Sequence, residues 1–174
     1  MRDKMQGIGL GLWILACGML PTSAFAANSV TVNFKGNLIL NPPCELTGTG
    51  SNTVEVDFKD MVIRKITGTN FQQPLPYKLT CDAEDATRVA LTIKGTGSSF
   101  NNAALKTSNT NLGLRFATMS GSSPTFVGLG QPIVFTNNQR PTFNVYPLIN
   151  SGVAASSIAA GGFTASATLE ASYP

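Results

Sequence analysis

The sequence predicts an all-β sandwich, and three observations support that prediction. Short segments of alternating apolar and polar residues recur about every 8–12 residues, with turn-forming residues between them. Almost no stretch shows the three-to-four-residue apolar spacing of an amphipathic helix. Charged residues make up only 12% of the chain, whereas threonine, serine, asparagine and glycine are abundant, which suits an exported β-protein.

The first 26 residues are expected to be a secretory signal peptide. Arg2 and Lys4 give a positive start, an apolar run follows, and Ala24 and Ala26 occupy the −3 and −1 positions of a cleavage site. The apolar run is shorter than the roughly 20 residues that a membrane-spanning helix needs, so a membrane anchor is the weaker alternative. Lipidation at Cys17 is a second alternative, but a good cleavage site lies downstream of it.

Cleavage after Ala26 leaves 148 residues, which corresponds to one domain. Ten basic and eight acidic residues remain, and the longest basic run is two residues, Arg64 and Lys65. The sequence therefore lacks the basic patch of a nucleic-acid-binding protein, and an anionic membrane surface is equally unsupported. Cys44 and Cys81 also remain. An even cysteine count in an exported chain implies one disulfide, and two free buried thiols are the alternative.

Residues 30–40 are the stretch around which we interpret the rest of the chain. Alternate positions are apolar or glycine: Val30, Val32, Phe34, Gly36 and Leu38. This alternation is typical of a β-strand with one buried face, and the glycine suggests close approach to another backbone. Residues 41–43 are Asn-Pro-Pro, which cannot continue a ladder. We interpret the segment as a strand made for another molecule. An ordinary first strand of its own domain is the alternative.

The next predicted strands are residues 54–58, 75–81 and 88–94, because each alternates apolar and polar side chains. In the second of them the apolar face consists of Leu75, Tyr77, Leu79 and Cys81. The cysteine therefore points inward, as a structural disulfide should. Asp82, Glu84 and Asp85 form an acidic cluster after this strand. The cluster lacks the glycine and terminal carboxylate of a calcium loop, which favours a solvated turn over a metal site.

The second half of the chain contains further predicted strands at residues 112–119, 132–135 and 142–148. Residues 95–99, 101–102 and 153–160 are expected to be loops. The longest uninterrupted alternation comes at the end, where the apolar positions are Phe163, Ala165, Ala167, Leu169, Ala171 and Tyr173. This pattern predicts one strand over residues 163–173.

The sequence offers little chemistry for catalysis. The chain has no histidine, which removes the commonest general base and the usual zinc ligand. No nucleophile elbow, phosphate-binding loop or zinc-protease motif occurs. We therefore expect no enzyme activity, no cofactor and no metal site. Trp13, the only tryptophan, leaves with the signal peptide, so a sugar-binding site would lack that aromatic platform.

The exported chain resembles a subunit of the chaperone–usher pili of Gram-negative bacteria. The resemblance depends on a combination of features rather than on one motif. An alternating extension contains Gly36, Cys44 follows it directly, and Cys81 lies some 35–40 residues further on. A last strand ends in the penultimate Tyr173, and Gly161 is fourteenth from the end.

This resemblance implies an immunoglobulin-like β-sandwich that lacks its last strand. The expected organisation is a signal peptide (residues 1–26), a donor-strand extension (27–43) and the immunoglobulin-like domain (44–174). A periplasmic chaperone would fill the gap, and the extension of the next subunit would replace it at an outer-membrane usher, a known mode of strand addition. The carboxylate of Pro174 would meet basic residues in the chaperone cleft.

The resemblance also implies roles for individual residues. Cys44 and Cys81 match the family disulfide. The donor positions match Val30, Val32, Phe34, Gly36 and Leu38. The groove-edge strand, with which the chaperone pairs, matches Gly161, Phe163, Ala165, Ala167, Leu169, Ala171 and Tyr173.

The expected function is therefore that of a structural subunit of an adhesive fimbria. It would pass through the periplasm to the cell surface, with neighbouring pilus subunits as partners and with neither nucleic acid nor a membrane anchor. The alternative is a self-contained secreted sandwich that binds carbohydrate and folds its extension into its own sheet.

Overall fold

The computed structural model describes residues 30–48, 51–121 and 123–174. The predicted signal peptide, residues 1–26, lies outside the described residues. The chain divides into two compact units, Met1–Asn37 and Leu38–Pro174. In the first unit, residues 30–37 form no strand and their side chains are exposed.

The second unit is built from short antiparallel strands. Its described residues form β1 (Glu45–Thr47), β2 (Gln73–Pro74), β3 (Lys78–Thr80), β4 (Arg88–Lys94), β5 (Gly97–Ser98), β6 (Asn101–Lys106), β7 (Leu112–Ser120), β8 (Ser123–Val127), β9 (Pro132–Thr136), β10 (Phe143–Ile149) and β11 (Thr168–Ser172). Two single 3-10 turns, Ile63–Lys65 and Ala155–Ser157, are the helical elements among the described residues.

The strands form two main sheets with one apolar core. The larger sheet has the order β2-β10-β7-β6-β5, and β8 also pairs with β7. The smaller sheet has the order β11-β4-β9, while β1 pairs with β3. Alternate residues of β4 are fully buried and pack in one cluster with the inward-facing side chains of β7 and β10. The two sheets therefore enclose the core as a sandwich, and the all-β prediction is confirmed.

The strands with the strongest alternation lie where the sequence predicts them. β4 coincides with the predicted residues 88–94, and β7, β9 and β10 each agree with their predicted segments to within one or two residues. The predicted apolar face of residues 75–81 also turns inward, although only Lys78–Thr80 of this segment is a strand, β3. β2 ends just before the segment, and the two strands pair with different partners, β2 with β10 and β3 with β1. Local periodicity therefore predicts burial more reliably than it predicts continuous pairing.

Four local predictions are wrong, each for a reason of pairing. Within residues 95–99, predicted as loop, Gly97–Ser98 forms β5, because it pairs with β6. Residues 101–102 are not loop but begin β6, which is held by β5 and β7 despite its weak alternation. Residues 54–58 alternate inward and outward but form no strand, because no described strand lies beside them to complete a ladder. Of residues 163–173 only Thr168–Ser172 is a strand. Its partner β4 ends at Lys94, opposite Thr168, so the preceding residues have no partner in that ladder.

Candidate functional site: an open groove beside the last strand

A groove of about 1370 Å³ opens the core of the second unit to solvent. Its floor consists of core side chains, among them Ile93, Leu105, Leu114, Phe116 and Val145. Two extended segments line its sides: residues 54–58, called here the first wall, and residues 163–169, called the second wall. A gap of this shape fits an extended polypeptide, because it is long, apolar at the bottom and bounded by backbone.

The first wall presents apolar side chains to the core and charged side chains to solvent. Val56 and Phe58 pack against the core cluster, whereas Glu55 and Asp57 are exposed. Lys59 closes a tight turn here, because its backbone N–H and its Nζ atom contact the two carboxylate oxygens of Asp57 at 2.8 and 2.6 Å. The side-chain hydrogen bond from Lys59 lowers the pKa of Asp57.

The second wall alternates in the same way. Phe163 and Leu169 are half-buried against the core, and the residues between them on that parity are Ala165 and Ala167. Both alanines line the groove yet remain exposed, since nothing in the described chain covers them. Small side chains at these two positions leave room above the core for side chains from an added strand.

The backbone of both walls has hydrogen-bonding capacity to spare. Among the described residues, no backbone–backbone hydrogen bond reaches residues 54–58 or residues 165–166. In contrast, the start of the second wall is anchored, because the N–H of Ser108 donates to the carbonyl oxygen of Thr164 at 2.8 Å and the N–H of Thr164 donates to Ser108 Oγ at 2.9 Å. The groove is thus flanked by two unpaired strand-like edges, which is the arrangement that accepts a further strand.

One ring contact and one hydrogen bond mark two positions along the walls. The rings of Phe58 and Phe163 lie 5.9 Å apart and bridge the two walls, and the groove lining continues past them into residues 158–162. In that continuation Gly161 has a φ of +135°, a conformation that side chains other than glycine rarely adopt. Beyond the second wall, the hydroxyl of Tyr173 donates a hydrogen bond of 3.0 Å to the carbonyl oxygen of Pro42.

The predicted disulfide is confirmed. Cys44 and Cys81 are bonded, with their Cα atoms 4.3 Å apart, and they join the start of β1 to the residue after β3. The bond therefore fixes the position at which the N-terminal segment leaves the second unit. Closure of a loop of this length stabilises a fold by about 4 kcal/mol in the chain-entropy model.

The five predicted donor positions carry no strand in the described structure. Val30, Val32, Phe34 and Leu38 are all exposed, Phe34 with 91% of its surface open to solvent. A Cβ atom built on Gly36 would meet nothing within 4 Å. The exposure of four large apolar side chains to water is unfavourable, so these positions stay predicted as contacts to another molecule.

The first wall is the part of the site that sequence reasoning missed. Its alternation predicted a half-buried strand but did not indicate that this strand would border the gap. The described residues hold no cluster of three or more histidine, cysteine, aspartate or glutamate side chains suited to a metal ion. None of the helical segments described has the length and apolar character that crossing a membrane requires.

Comparison with known proteins gives consistent results. A family model described as "Fimbrial protein" matches residues 32–174. The chain is 30% identical over 170 residues to the fimbrial-like protein YfcR of Escherichia coli (strain K12), which covers 97% of this chain and 95% of YfcR. It is 40% identical over 81 residues to the fimbrial-like protein YfcQ of the same strain, which covers 44% of this chain and 48% of YfcQ.

Solved pilus subunits share the fold. The P pilus rod subunit PapA superposes with a TM-score of 0.59 at 18% identity, covering 83% of this chain and 99% of PapA. The P pilus adaptor subunit PapF gives a TM-score of 0.52 at 20% identity, covering 77% of this chain and 98% of PapF. These similarities show the fold, an immunoglobulin-like sandwich whose sheet is left open beside β11.

Proposed function

Because the chain belongs to the fimbrial protein family, we propose that it is a structural pilus subunit that polymerises by donor-strand exchange. The groove would accept the N-terminal extension of a neighbouring subunit, and its own extension would fill the groove of another. One observation supports this most directly: the apolar groove lies between the first wall, which makes no ladder among the described residues, and the second wall, whose ladder with β4 begins only at Thr168. Membership of this family supports a location in a fimbria on the cell surface and a structural role.

The energetics favour a durable joint. Burial of the four apolar donor side chains would contribute on the order of 6–12 kcal/mol, before the cost of ordering the strand. Backbone hydrogen bonds along both walls add to this. The donor stands in for the missing last strand of an antiparallel sandwich, so it would run antiparallel to residues 163–173 and place Leu38 near Phe163.

The exposed groove is also the basis for proposing two further partners, a periplasmic chaperone and an outer-membrane usher. A long apolar trough with two free edges is an aggregation hazard, so the subunit needs a temporary cover on its way through the periplasm. We propose that a periplasmic chaperone supplies that cover by pairing with the second wall and β11, and that an outer-membrane usher is the place of exchange. Residues 1–26 would direct export and be removed.

The test is to refold the oxidised exported chain with and without a peptide of residues 27–41. Without peptide, or with a peptide in which Val32 and Phe34 are replaced by asparagine, we expect aggregates in size-exclusion chromatography. With the wild-type peptide we expect a monomer that carries one bound peptide. A chain that lacks residues 27–41 and still elutes as a stable monomer without peptide would contradict the proposal and favour a self-contained sandwich.

A further inference from the structure

We propose that the groove accepts the extension of a second copy of this chain, with an ion pair between Lys35 of one copy and Glu55 of the next. This inference rests on the proposed function, since it names the partner of that groove. Lys35 is the only charged residue among residues 27–41. The residues beside a groove that attract or repel the positive charge of Lys35 therefore determine how well that groove binds this extension.

The directions of the two walls determine how a donor strand would lie. β1 lies beside β11 near one end of the groove, where Tyr173 bonds Pro42. From there the chain continues to Phe58, whose ring contacts Phe163 at the start of the second wall. The two walls consequently run in opposite directions. A donor strand antiparallel to the second wall is parallel to the first.

The side-chain parity of the donor then places Lys35 next to the acids of the first wall. We set Leu38 beside Phe58, opposite the start of the second wall. Gly36 then lies beside Val56 and Lys35 beside Glu55. Lys35 lies between inward-facing donor positions and so points outward, as Glu55 does. In a ladder, outward side chains of neighbouring strands lie side by side on the same face.

The charges on the two walls are unequal in a way that suits a cation. Residues 158–169, in and before the second wall, contain no charged side chain, whereas the first wall carries Glu55 and Asp57. Asp57 already has Lys59 as its ion-pair partner at 2.6 Å, while Glu55 makes no ion pair or side-chain hydrogen bond to any described residue. A register shift of two residues would place Lys35 beside Asp57 and thus still beside a carboxylate.

A charge exchange tests the pairing. The exported full chain is refolded in the presence of increasing concentrations of fluorescent peptides of residues 27–41, and the binding of each peptide to the refolded chain is measured by anisotropy. We expect K35E in the peptide, or E55K in the chain, to weaken binding by about three- to tenfold, because an attractive exposed pair becomes repulsive. The K35E peptide with the E55K chain should recover to within about twofold of wild type. In 1 M salt, where screening acts within about 3 Å, the differences should collapse.

The control variant is E84K, which makes the same charge change in an exposed turn that does not line the groove. E84K should neither weaken the binding of the wild-type peptide nor restore the binding of the K35E peptide. Equal affinities in all four combinations of peptide and chain would overturn the inference. So would a chain that ignores its own peptide but binds the corresponding extension of YfcR, although the proposed function would then stand. If neither extension binds, the proposed function itself fails.

Discussion

The side-chain amide of Asn137 donates a hydrogen bond of 2.8 Å to the carbonyl oxygen of Ala83. Asn137 is only 5% exposed, and its own oxygen accepts a hydrogen bond of 2.8 Å from Arg140. Arg140 in turn donates to the carbonyl oxygen of Leu79 at 2.7 Å. The loop between β9 and β10 is thereby fastened to the chain on both sides of Cys81, and both the nitrogen and the oxygen of the buried Asn137 amide have hydrogen-bond partners.

The first prediction concerns that connection. Asn137→Ala should lower the free energy of unfolding by about 1–3 kcal/mol, because it removes the hydrogen bonds that a buried side chain makes to the half-buried carbonyl of Ala83 and with Arg140. Asn138→Ala is the matched control, since the Asn138 side chain is exposed, and it should cost no more than about 0.5 kcal/mol. Urea unfolding of the chain with donor peptide bound measures both. Equal effects of the two variants would show that the Asn137 contact contributes nothing specific.

The second prediction tests the groove. Ala167→Trp should reduce the affinity for the donor peptide by about tenfold or more, because the indole would occupy space that the incoming strand needs. Ser166→Trp is the control, since Ser166 neighbours Ala167 but has the opposite parity and an exposed side chain. Titration with labelled peptide compares the two. If Ser166→Trp blocks binding as strongly as Ala167→Trp, the proposed inward face of the second wall is wrong.

The third prediction tests the donor register. Gly36→Trp should slow the joining of subunits. In the donor peptide it should lower the affinity for the groove by about tenfold or more, because the indole would meet the groove where close backbone approach is needed. The control peptide carries Asn37→Trp, whose side chain would point away from the groove, and its affinity should stay within about threefold of that of the wild-type peptide. The folding of the subunit that carries Gly36→Trp should be unaffected when its own groove is covered. Unchanged joining kinetics for Gly36→Trp would count against the assigned register.

The sequence predicts a strand correctly where its apolar pattern is strong and where the folded sheet supplies it with neighbouring strands. β4 and β7 alternate clearly, β10 carries apolar residues on both faces, and all three lie in the interior of the sheets, so sequence pattern, burial and pairing agree. β6 was missed because Asn101, Asn102 and Ala103 show no apolar alternation, and its strand conformation comes from β5 and β7 on either side. Tertiary pairing overrides weak local preference there.

At the groove, prediction from sequence fails in the opposite way: it predicts strands where the structure has none. Residues 54–58 and 163–167 have a strand pattern, and the first wall buries its apolar positions, yet neither segment forms a ladder. The donor positions, such as Val32 and Phe34, likewise have the pattern without the strand. Alternation reports which face of a segment can be buried. It does not report whether the partner belongs to the same chain, and that information comes only from the open edge in three dimensions.

The last prediction concerns pH. Burial raises the pKa of Tyr77 to about 12, although nearby Arg140 acts in the opposite direction, and the phenol donates a hydrogen bond to the carbonyl of Pro141. The folded state thus favours the neutral phenol. Its contribution to stability is fully present below pH 10, the usual pKa of tyrosine, and is lost as the pH rises from 10 to about 12.

The expected loss over that range is about 1–2 kcal/mol, allowing for the partial exposure of Tyr77. Tyr77→Phe should be less stable than wild type near pH 8, because it lacks the hydrogen bond, but the difference should shrink and then vanish toward pH 12. Tyr146→Phe keeps Tyr77 and should retain the alkaline loss. Urea unfolding of the peptide-bound chain at pH 8, 10, 11 and 12 measures the three curves. A Tyr77→Phe curve parallel to wild type across this range would mean that another group causes the alkaline loss.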